Sequence, residues 1–197
     1  MKKIITVLLT ATLLIAGSAY AAGTLQDAEK AYAKRSYVQA FNILKPLALS
    51  GVAEAQFDLG ACYEFGLGVA QDYVEAVKWY KLAAEQGNAK AQFGLGASYD
   101  VGQGVLRNYV EAVKWYKLAA EQGNASAQTN LGIMYAKGLG VAQDFVSAHK
   151  WFNLAAITGT KDAVKNRDAI EIIMSKQQIE EAQKLARECL ARKYKGC

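Results

Sequence analysis

The residues with the clearest potential for chemistry lie in one short stretch of the chain. Ser147 and Lys150 fit the S-x-x-K spacing of the nucleophilic serine and lysine in penicillin-recognising enzymes. Those enzymes also carry S-D-N and K-T-G elements, and neither tripeptide occurs in this sequence. Earlier copies of the same segment have glutamate in place of the serine. We therefore interpret Ser147 as part of an ordinary outer helix face and expect no enzymatic activity.

The single histidine, His149, lies inside that motif and is the natural candidate for a metal ligand. Zinc requires companion ligands at suitable spacing, and the helical neighbours Phe145 and Asn153 supply none. Valine occupies the corresponding position 36 and 72 residues earlier. We expect a structural histidine, no metal site and no cofactor.

Three cysteines leave one thiol over after a single disulfide has formed. Cys189 and Cys197 lie close together near the C-terminus, whereas Cys62 stands alone beside Tyr63 within a helical pattern. The sequence predicts a Cys189–Cys197 disulfide and leaves Cys62 without a bridge. No histidine lies near Cys62 to act as its base, so acyl-transfer chemistry is not indicated.

The motif Gly66-x-Gly68-Val69 resembles part of a phosphate-binding loop. A dinucleotide-binding fingerprint contains three glycines and follows a strand. This segment lacks the third glycine and joins two helical patterns. Loop geometry is the better interpretation, with Gly66 in the left-handed position that ends a helix.

The chain is organised around a repeat of 36 residues. Tyr73–Ala89 recurs letter for letter as Tyr109–Ala125, and Phe145–Thr160 keeps its skeleton. Periods of 20 to 50 residues indicate stacked units that cannot bury their apolar faces alone. Each unit contains two amphipathic patterns of helical period separated by the glycine loop. The sequence therefore predicts an all-α array of helix-loop-helix repeats.

Particular residues are expected to shape each repeat. Gly60, with its counterparts 36 and 72 residues later, predicts a close approach between two helices, because glycine is costly in a helix. Asp72, Asn108 and Asp144 are expected to cap the second helices, with Glu75 and its counterpart completing capping boxes. The tryptophan and tyrosine columns are expected in the core between helices; they comprise residues 79, 115 and 151, and 80, 116 and 152.

The repeat pattern gives the domain boundaries. Residues 22–51 are expected to form an N-terminal capping repeat that departs from the later copies, and Pro46 should kink the last turn of its second helix. Full repeats follow at 52–87, 88–123 and 124–159, and 160–197 is a C-terminal helical cap. We expect that cap to bury a stripe of apolar residues: Ile170, Ile173, Met174, Ile179, Ala182, Leu185, Ala186, Cys189 and Leu190.

Residues 1–21 have the pattern of a secretory signal peptide. Lys2 and Lys3 precede the apolar run 4–16, and Ala19-Tyr20-Ala21 is a small-x-small cleavage site. The formal net charge of +5 falls to 5 − 2 = +3 without the two lysines. This mild basic balance does not indicate nucleic-acid binding. We expect a periplasmic or secreted protein, cleaved near Ala21, with no membrane span after processing.

The recurring motifs resemble the Sel1-like repeat family, a longer-looped relative of tetratricopeptide repeats. They are Ala-x-Ala-Gln-x-x-Leu-Gly-x-x-Tyr, Gly-x-Gly-Val and Asp-Tyr-x-x-Ala-x-x-Trp-Tyr-x-x-Ala-Ala-x-x-Gly, and they cover residues 37–159. The resemblance implies a right-handed α/α superhelical solenoid that acts as an adaptor for a protein or peptide. Some exported relatives carry a disulfide in each repeat and are linked to penicillin binding. Gln56 and Ala84 occupy the matching positions here, so that feature does not transfer.

The resemblance also implies that the first helices line a concave face. Residues projecting toward that face vary between repeats while the scaffold positions do not, which favours a partner-binding groove. The candidates are Phe57, Ala61, Glu64, Phe93, Asp100, Val101, Thr129, Ile133 and Lys137. Two alternatives stay open: a β-lactam-binding or β-lactam-hydrolysing envelope protein that uses Ser147, and a cell-wall glycan-binding module. The glycan-binding alternative requires exposed aromatic columns.

Overall fold

A computed structural model describes residues 23–197, and the signal-peptide prediction for residues 1–21 lies outside them. Within this range the chain forms ten α-helices and no strand. The helices are α1 Leu25–Ala33, α2 Tyr37–Leu49, α3 Ala53–Phe65, α4 Tyr73–Glu85, α5 Ala89–Val101, α6 Tyr109–Ala120, α7 Ala125–Lys137, α8 Phe145–Ala156, α9 Lys161–Glu171 and α10 Lys176–Ala191. The all-α prediction is confirmed. The chain divides into two compact units, residues 23–83 and 84–197.

The first unit holds α1 to α3 and most of α4 around its own apolar core. Ala28 of α1, Phe41 and Leu44 of α2, and Leu59 and Cys62 of α3 belong to one buried cluster. Pro46 lies inside α2, which nevertheless runs on to Leu49. The helices of this unit are therefore stabilised mainly by the apolar faces that they share.

The second unit holds α5 to α10. Tyr116 of α6, Leu131 of α7, and Trp151 and Leu154 of α8 lie in one buried cluster that extends to Ala186 of α10. The C-terminal cap thus shares its core with the repeats before it.

Helix ends follow from local sequence. The side chains of Asn108 and Asp144 each accept two main-chain N–H groups at the start of α6 and α8, and Asp72 does the same at α4. The expected capping boxes at Glu75 and Glu111 do not describe the structure, in which these carboxylates accept hydrogen bonds from lysines three residues later. The main-chain N–H groups of Asp72 and Asn108, which the capping boxes would use, donate instead to the main-chain oxygens of Tyr63 and Tyr99.

The helical glycines confirm the expected close approach. A Cβ on Gly132 would lie 2.6 Å from Cε1 of Phe152, and one on Gly96 would lie 2.7 Å from Cδ1 of Tyr116. In the first unit, Gly60 faces Tyr80 in the same way, at 2.7 Å. One glycine in each first helix therefore accommodates the aromatic ring of the second helix.

The second loop glycine has a packing role as well. A Cβ on Gly140 would overlap the main-chain oxygen of Tyr109, where α6 begins, and Gly68 stands equally close to Tyr37, the first residue of α2. Both glycines also have positive φ. The Gly-x-Gly loop is thus held against the preceding repeat, which accounts for it without a phosphate.

Helix α9 keeps the register of a fourth first helix but not its core residues. Ala163 is fully buried at the position of Ala127. Arg167 and Asp168 then occupy the positions of Leu131 and Gly132, so the leucine and the glycine that receive a partner helix are both lost. Both α9 and α10 pack on α8.

The predicted stripe of the cap holds for Met174, Ala182, Ala186 and Cys189, which are buried. It is wrong for Ile173, which is 63% exposed. Helix α9 ends at Glu171, two residues before Ile173, so the helical spacing that predicted a buried Ile173 does not extend to this residue.

The C-terminal tail folds back on the second unit. Sγ atoms of Cys189 and Cys197 are joined in a disulfide, with the two Cα atoms 5.4 Å apart. The ring of Tyr194 lies against Gly123 at the end of the second repeat. Lys193 and Tyr194 adopt positive φ, which turns the chain back within a few residues.

Candidate partner-binding face

The two first helices of the second unit meet at the hydroxyl of Tyr116. This hydroxyl donates a hydrogen bond to Oδ2 of Asp100 on α5 at 3.2 Å, and it accepts one from Nδ2 of Asn130 on α7 at 3.0 Å. Burial and the Asp100 charge raise the pKa of Tyr116 above its usual range, so the phenol stays protonated. Asp100 and Asn130 are thereby held on either side of one phenol.

The first unit repeats half of this arrangement. The hydroxyl of Tyr80 donates to the carboxylate of Glu64, and burial followed by that hydrogen bond raises the pKa of Tyr80. The third full repeat changes both partners together, with Phe152 in place of the tyrosine and Ala136 in place of the acid. The acid at this position thus occurs only where a phenol is present to donate to it.

The two candidate phenylalanines are half-buried. Phe57 stacks on Tyr80 with ring centroids 5.7 Å apart, and Phe93 is tilted against Tyr116 at 5.9 Å. Each ring therefore contacts the second helix of its own repeat with one face. Their partly exposed surface is what remains for a partner.

Thr129 occupies the same column in the third repeat and is only 7% exposed. Its hydroxyl donates to the main-chain oxygen of Ala125 at 2.9 Å. The structure therefore gives Thr129 a local role within α7.

The remaining candidates range from half-buried to exposed. Val101 is 70% exposed at the end of α5, and Lys137 is exposed at the end of α7. Ile133 and Ala61 are half-buried. In the second unit, accessible apolar and charged groups thus lie toward the C-terminal ends of the two first helices.

Asn130 belongs to this region and was missed by the sequence reasoning. Its column reads Asp58, Gly94 and Asn130, which shows variation of the kind that marked the other candidates. The sequence could have indicated Asn130 only through its position, since it directly follows the candidate Thr129.

Ser147 and Lys150 are not arranged as a nucleophile and its base. The Nζ of Lys150 donates to the main-chain oxygen of Cys197 at 2.7 Å and lies 4.6 Å from the centroid of the Trp151 ring. Burial, with the nearby Lys117 charge, lowers the pKa of Lys150. Lys150 therefore fastens the C-terminal tail to α8.

His149 is fully buried between α8 and α9. Its Nε2 lies 2.6 Å from Oε1 of Glu171, and its Nδ1 lies 2.9 Å from Nδ2 of Asn153. With the Asn153 amide donating to Nδ1, Nε2 carries the hydrogen and donates to the carboxylate. Both ring nitrogens are occupied, and residues 23–197 contain no cluster of three side chains that could hold a metal ion.

Five of the six residues of the aromatic columns are buried, as predicted, whereas Trp79 is half-buried and packs against the core of the first unit. Tyr80, Tyr116 and Phe152 are at most 3% exposed, and Trp151 is 1% exposed. Exposed columns were the requirement of the glycan-binding alternative, and the structure does not provide them. Among residues 23–197, no helix is long and apolar enough to cross a membrane.

Comparison with known proteins identifies the repeat. The Sel1 repeat family matches residues 53–88, 89–124 and 125–157. The comparison with curated proteins found no significant match.

Three solved structures are similar. A protective antigen of uropathogenic Escherichia coli strains, described as displaying an SLR fold, has a TM-score of 0.74 at 37% identity over 79% of this chain and 33% of that chain. A Sel1 repeat protein from Oxalobacter formigenes has a TM-score of 0.72 at 33% identity over 84% of this chain and 75% of that chain. Cysteine rich protein B of Helicobacter pylori, at 20% identity and a TM-score of 0.50, covers 73% of this chain and 96% of its own, and shares the fold.

The chain thus spans one third of the E. coli antigen and three quarters of the Oxalobacter protein. The three matched segments keep the 36-residue period, the helical glycine and the aromatic ring that it accommodates. The chain belongs to the Sel1 repeat family.

Proposed function

We propose that this chain is a non-catalytic scaffold that binds a protein or peptide partner through the first helices of its repeats. The observation that carries the proposal is the Tyr116 hydroxyl, which links the side chains of Asp100 on α5 and Asn130 on α7. The variable residues Phe93, Val101 and Lys137 lie on the same two helices, within two helical turns of Asp100 or Asn130. Sel1 repeat proteins are typically scaffolds for protein interactions, which agrees with this assignment.

The chemistry of this face favours a polypeptide over nucleic acid. Asp100 contributes a carboxylate and Lys137 an ammonium group, while Phe93, Val101 and Ile133 contribute apolar surface. Apolar anchors with a polar rim are typical of protein interfaces, whereas phosphate backbones call for clusters of cations. A protein or peptide with an apolar anchor and a mixed-charge rim fits best.

Export is part of the proposal. The pattern of residues 1–21 supports cleavage after Ala21 and a location in the periplasm or outside the cell. Intact-mass measurement of the protein from its native envelope or medium tests this. A mass that begins at Ala22 is expected, and a retained Met1 would contradict the assignment.

The binding face is tested with two matched variants. Val101→Asp combined with Lys137→Glu changes two exposed side chains of the face, and Lys117→Glu changes an exposed lysine on α6, outside that face. Crosslinking pull-down from the native envelope fraction should recover a partner with wild type and with Lys117→Glu. The double variant should lose it while melting within a few degrees of wild type. Equal recovery by both variants would contradict the proposed face.

Phe93 provides a second arm of that experiment. Since the half-buried ring contacts Tyr116 and packs against the core of the second unit, Phe93→Ala should cost about 2 kcal/mol of stability, which is one aromatic pair plus part of the burial of the ring. Trp115→Ala, in the buried core, should cost about 3–5 kcal/mol. Phe93→Ala should still weaken partner binding by about tenfold or more, as cutting an interface anchor does. Equal losses of stability in the two variants would place Phe93 in the core alone.

The β-lactam alternative is tested directly. Nitrocefin hydrolysis and labelling by a fluorescent penicillin should both be absent, because the Lys150 amine is engaged by the tail. Labelling that is lost in Ser147→Ala would overturn the non-catalytic assignment.

A further inference from the structure

A cleft separates α9 from α10 on the surface of α8. It has a volume of about 370 Å³, at the small end of the range for ligand sites. Helix α8 contributes Ala156 and Ile157, α9 contributes Arg167, and α10 contributes Gln183, Arg187 and Leu190. The cleft is distinct from the binding face of α5 and α7.

The cleft follows from the residues that replace the usual core positions in α9. In the earlier repeats the leucine of the first helix is at most 1% exposed, because the following helix covers it. Arg167 stands at that leucine position, and its side chain is 28% exposed. No second helix covers α9 in the manner of the full repeats, and α10 runs along α8 instead. In a full repeat, the buried leucine and the helix that covers it fill this space with apolar contacts. Here the space stays open, and the guanidinium group of Arg167 lines it.

The two polar side chains that α10 contributes to the cleft are available for a ligand. Within residues 23–197, the side chains of Gln183 and Arg187 form no hydrogen bond or ion pair with another side chain. They lie four residues apart, so both face the same side of the helix. Arg167, in contrast, is held by Asp168 and by Glu171. The unpaired cation in the cleft is therefore Arg187, with an amide one turn away.

Apart from Asn153, whose amide group is engaged by His149 and Arg167, the remaining lining is apolar. Ala156, Ile157, Ala186 and Leu190 supply hydrocarbon surface next to Arg187, and Ile157 is 59% exposed at the rim. A guanidinium group binds a carboxylate through two parallel hydrogen bonds. A ligand that matches this lining carries a carboxylate directly beside an apolar side chain.

We propose that this cleft binds the C-terminal residue of a partner polypeptide, with its carboxylate on Arg187 and an apolar side chain against Ile157 and Leu190. A chain end provides a carboxylate and an apolar side chain on the same residue, which no internal apolar residue does. The open rim at Ile157 gives the rest of the partner chain a path out to solvent.

The test uses a fluorescein-labelled peptide, Gly-Ser-Gly-Ala-Val-Leu with a free C-terminus, and measures fluorescence anisotropy with the full mature chain. The same peptide with an amidated C-terminus should bind at least tenfold more weakly. Arg187→Gln should weaken binding of the free-acid peptide at least tenfold, and Ile157→Ser should weaken it severalfold. Lys184→Gln, an exposed lysine on the same helix, serves as the matched control and should bind as wild type does.

Three outcomes would overturn the proposal: no binding of the free-acid peptide, equal binding of the amidated peptide, or equal affinity in Arg187→Gln. N-acetyl-leucine is the competitor that separates a peptide end from a free small carboxylate. It should compete at least tenfold less well than the unlabelled peptide, and equal competition would contradict the assignment to a chain end. The Val101→Asp and Lys137→Glu double variant should bind the peptide normally, so failure of the first-helix face and failure of the cleft are distinguishable.

Discussion

The side-chain amide of Gln128 donates a hydrogen bond to the main-chain oxygen of Ala120 at 3.1 Å. The contact joins the first helix of one repeat to the last turn of the second helix before it. Gln92 bonds Ala84 at the same distance, and Gln56 bonds Ala48 within the first unit. Each of these oxygens also accepts a main-chain N–H from the turn that follows its helix, so the buried glutamine supplies a second donor at each of these junctions.

The first prediction concerns that junction. Gln128→Met keeps the length of the side chain and removes one of the two hydrogen bonds to the Ala120 oxygen, which still accepts the main-chain N–H of Gly123. The loss of one such bond costs about 0.5–1.5 kcal/mol. Oε1 of Gln128 is itself buried without a partner in the described chain, and its removal offsets part of the loss. We therefore expect a small loss, about 0.5–1 kcal/mol, in urea unfolding. Gln183→Met, at an exposed site, is the control and should change stability by less than about 0.5 kcal/mol.

The second prediction concerns the phenol and carboxylate pair of α5 and α6. Tyr116→Phe should cost about 1 kcal/mol, because Asp100 and Asn130 both lose their shared partner. The double variant Tyr116→Phe with Asp100→Ala copies the pairing found at Phe152 and Ala136. It should be more stable than the sum of the single changes predicts, with a coupling of about 0.5–1.5 kcal/mol in a double-mutant cycle. Simple additivity would show that the hydrogen bond contributes nothing.

The third prediction concerns the glycine that receives an aromatic ring. Gly132→Ala places a Cβ 2.6 Å from Phe152, so overpacking should outweigh the gain of about 1 kcal/mol from replacing a helical glycine. We expect a net loss of about 1–3 kcal/mol in chemical denaturation. Adding Phe152→Leu to the Gly132→Ala variant should be less harmful than adding it to wild type, because it removes the clashing ring. If Gly132→Ala raises the melting temperature, the close approach is absent in solution.

The fourth prediction concerns the cysteines. Peptide mapping without reductant should recover Cys189 and Cys197 in one linked fragment, and Cys197→Ser should lower stability by about 2–3 kcal/mol on the chain-entropy view of a short loop. Burial raises the pKa of Cys62 to about 11, so at about pH 8 its thiol is protonated and shielded. Iodoacetamide should therefore modify Cys62 only in the unfolded protein. Rapid modification of the native chain would show that α3 opens readily.

The sequence was sufficient wherever three copies could be compared. Gly60, the helix cap at Asp72 and the buried aromatic columns each have counterparts in the later repeats, so each copy tests the interpretation of the others. Contacts across the repeat boundary were harder to foresee. The bond from Gln128 to Ala120 depends on how two helices of neighbouring repeats cross, which periodicity alone does not give.

The cap shows where the pattern ends. The bond between His149 and Glu171 joins a repeated helix to one without a counterpart, so no second copy could reveal it. Ile173 continued the apolar spacing in the sequence but lies beyond the end of α9. Arg187 has no counterpart in the repeats, and only the course of α10 along α8 places it in a cleft.

Asp168 occupies the position in α9 that Gly132 occupies in α7. This difference affects where in the chain a repeat can be added or removed. Tyr73–Ala89 and Tyr109–Ala125 are identical. If one 36-residue unit between them is duplicated, the inserted helices are therefore flanked by the same sequences as the existing ones. At the last position of this column, the side chain of Asp168 occupies the space that a glycine leaves for an aromatic ring. A further unit added after it could not pack as the earlier repeats do. Growth by internal duplication therefore leaves the terminus unchanged, and any partner bound by the last two helices keeps its site whatever the number of repeats before it.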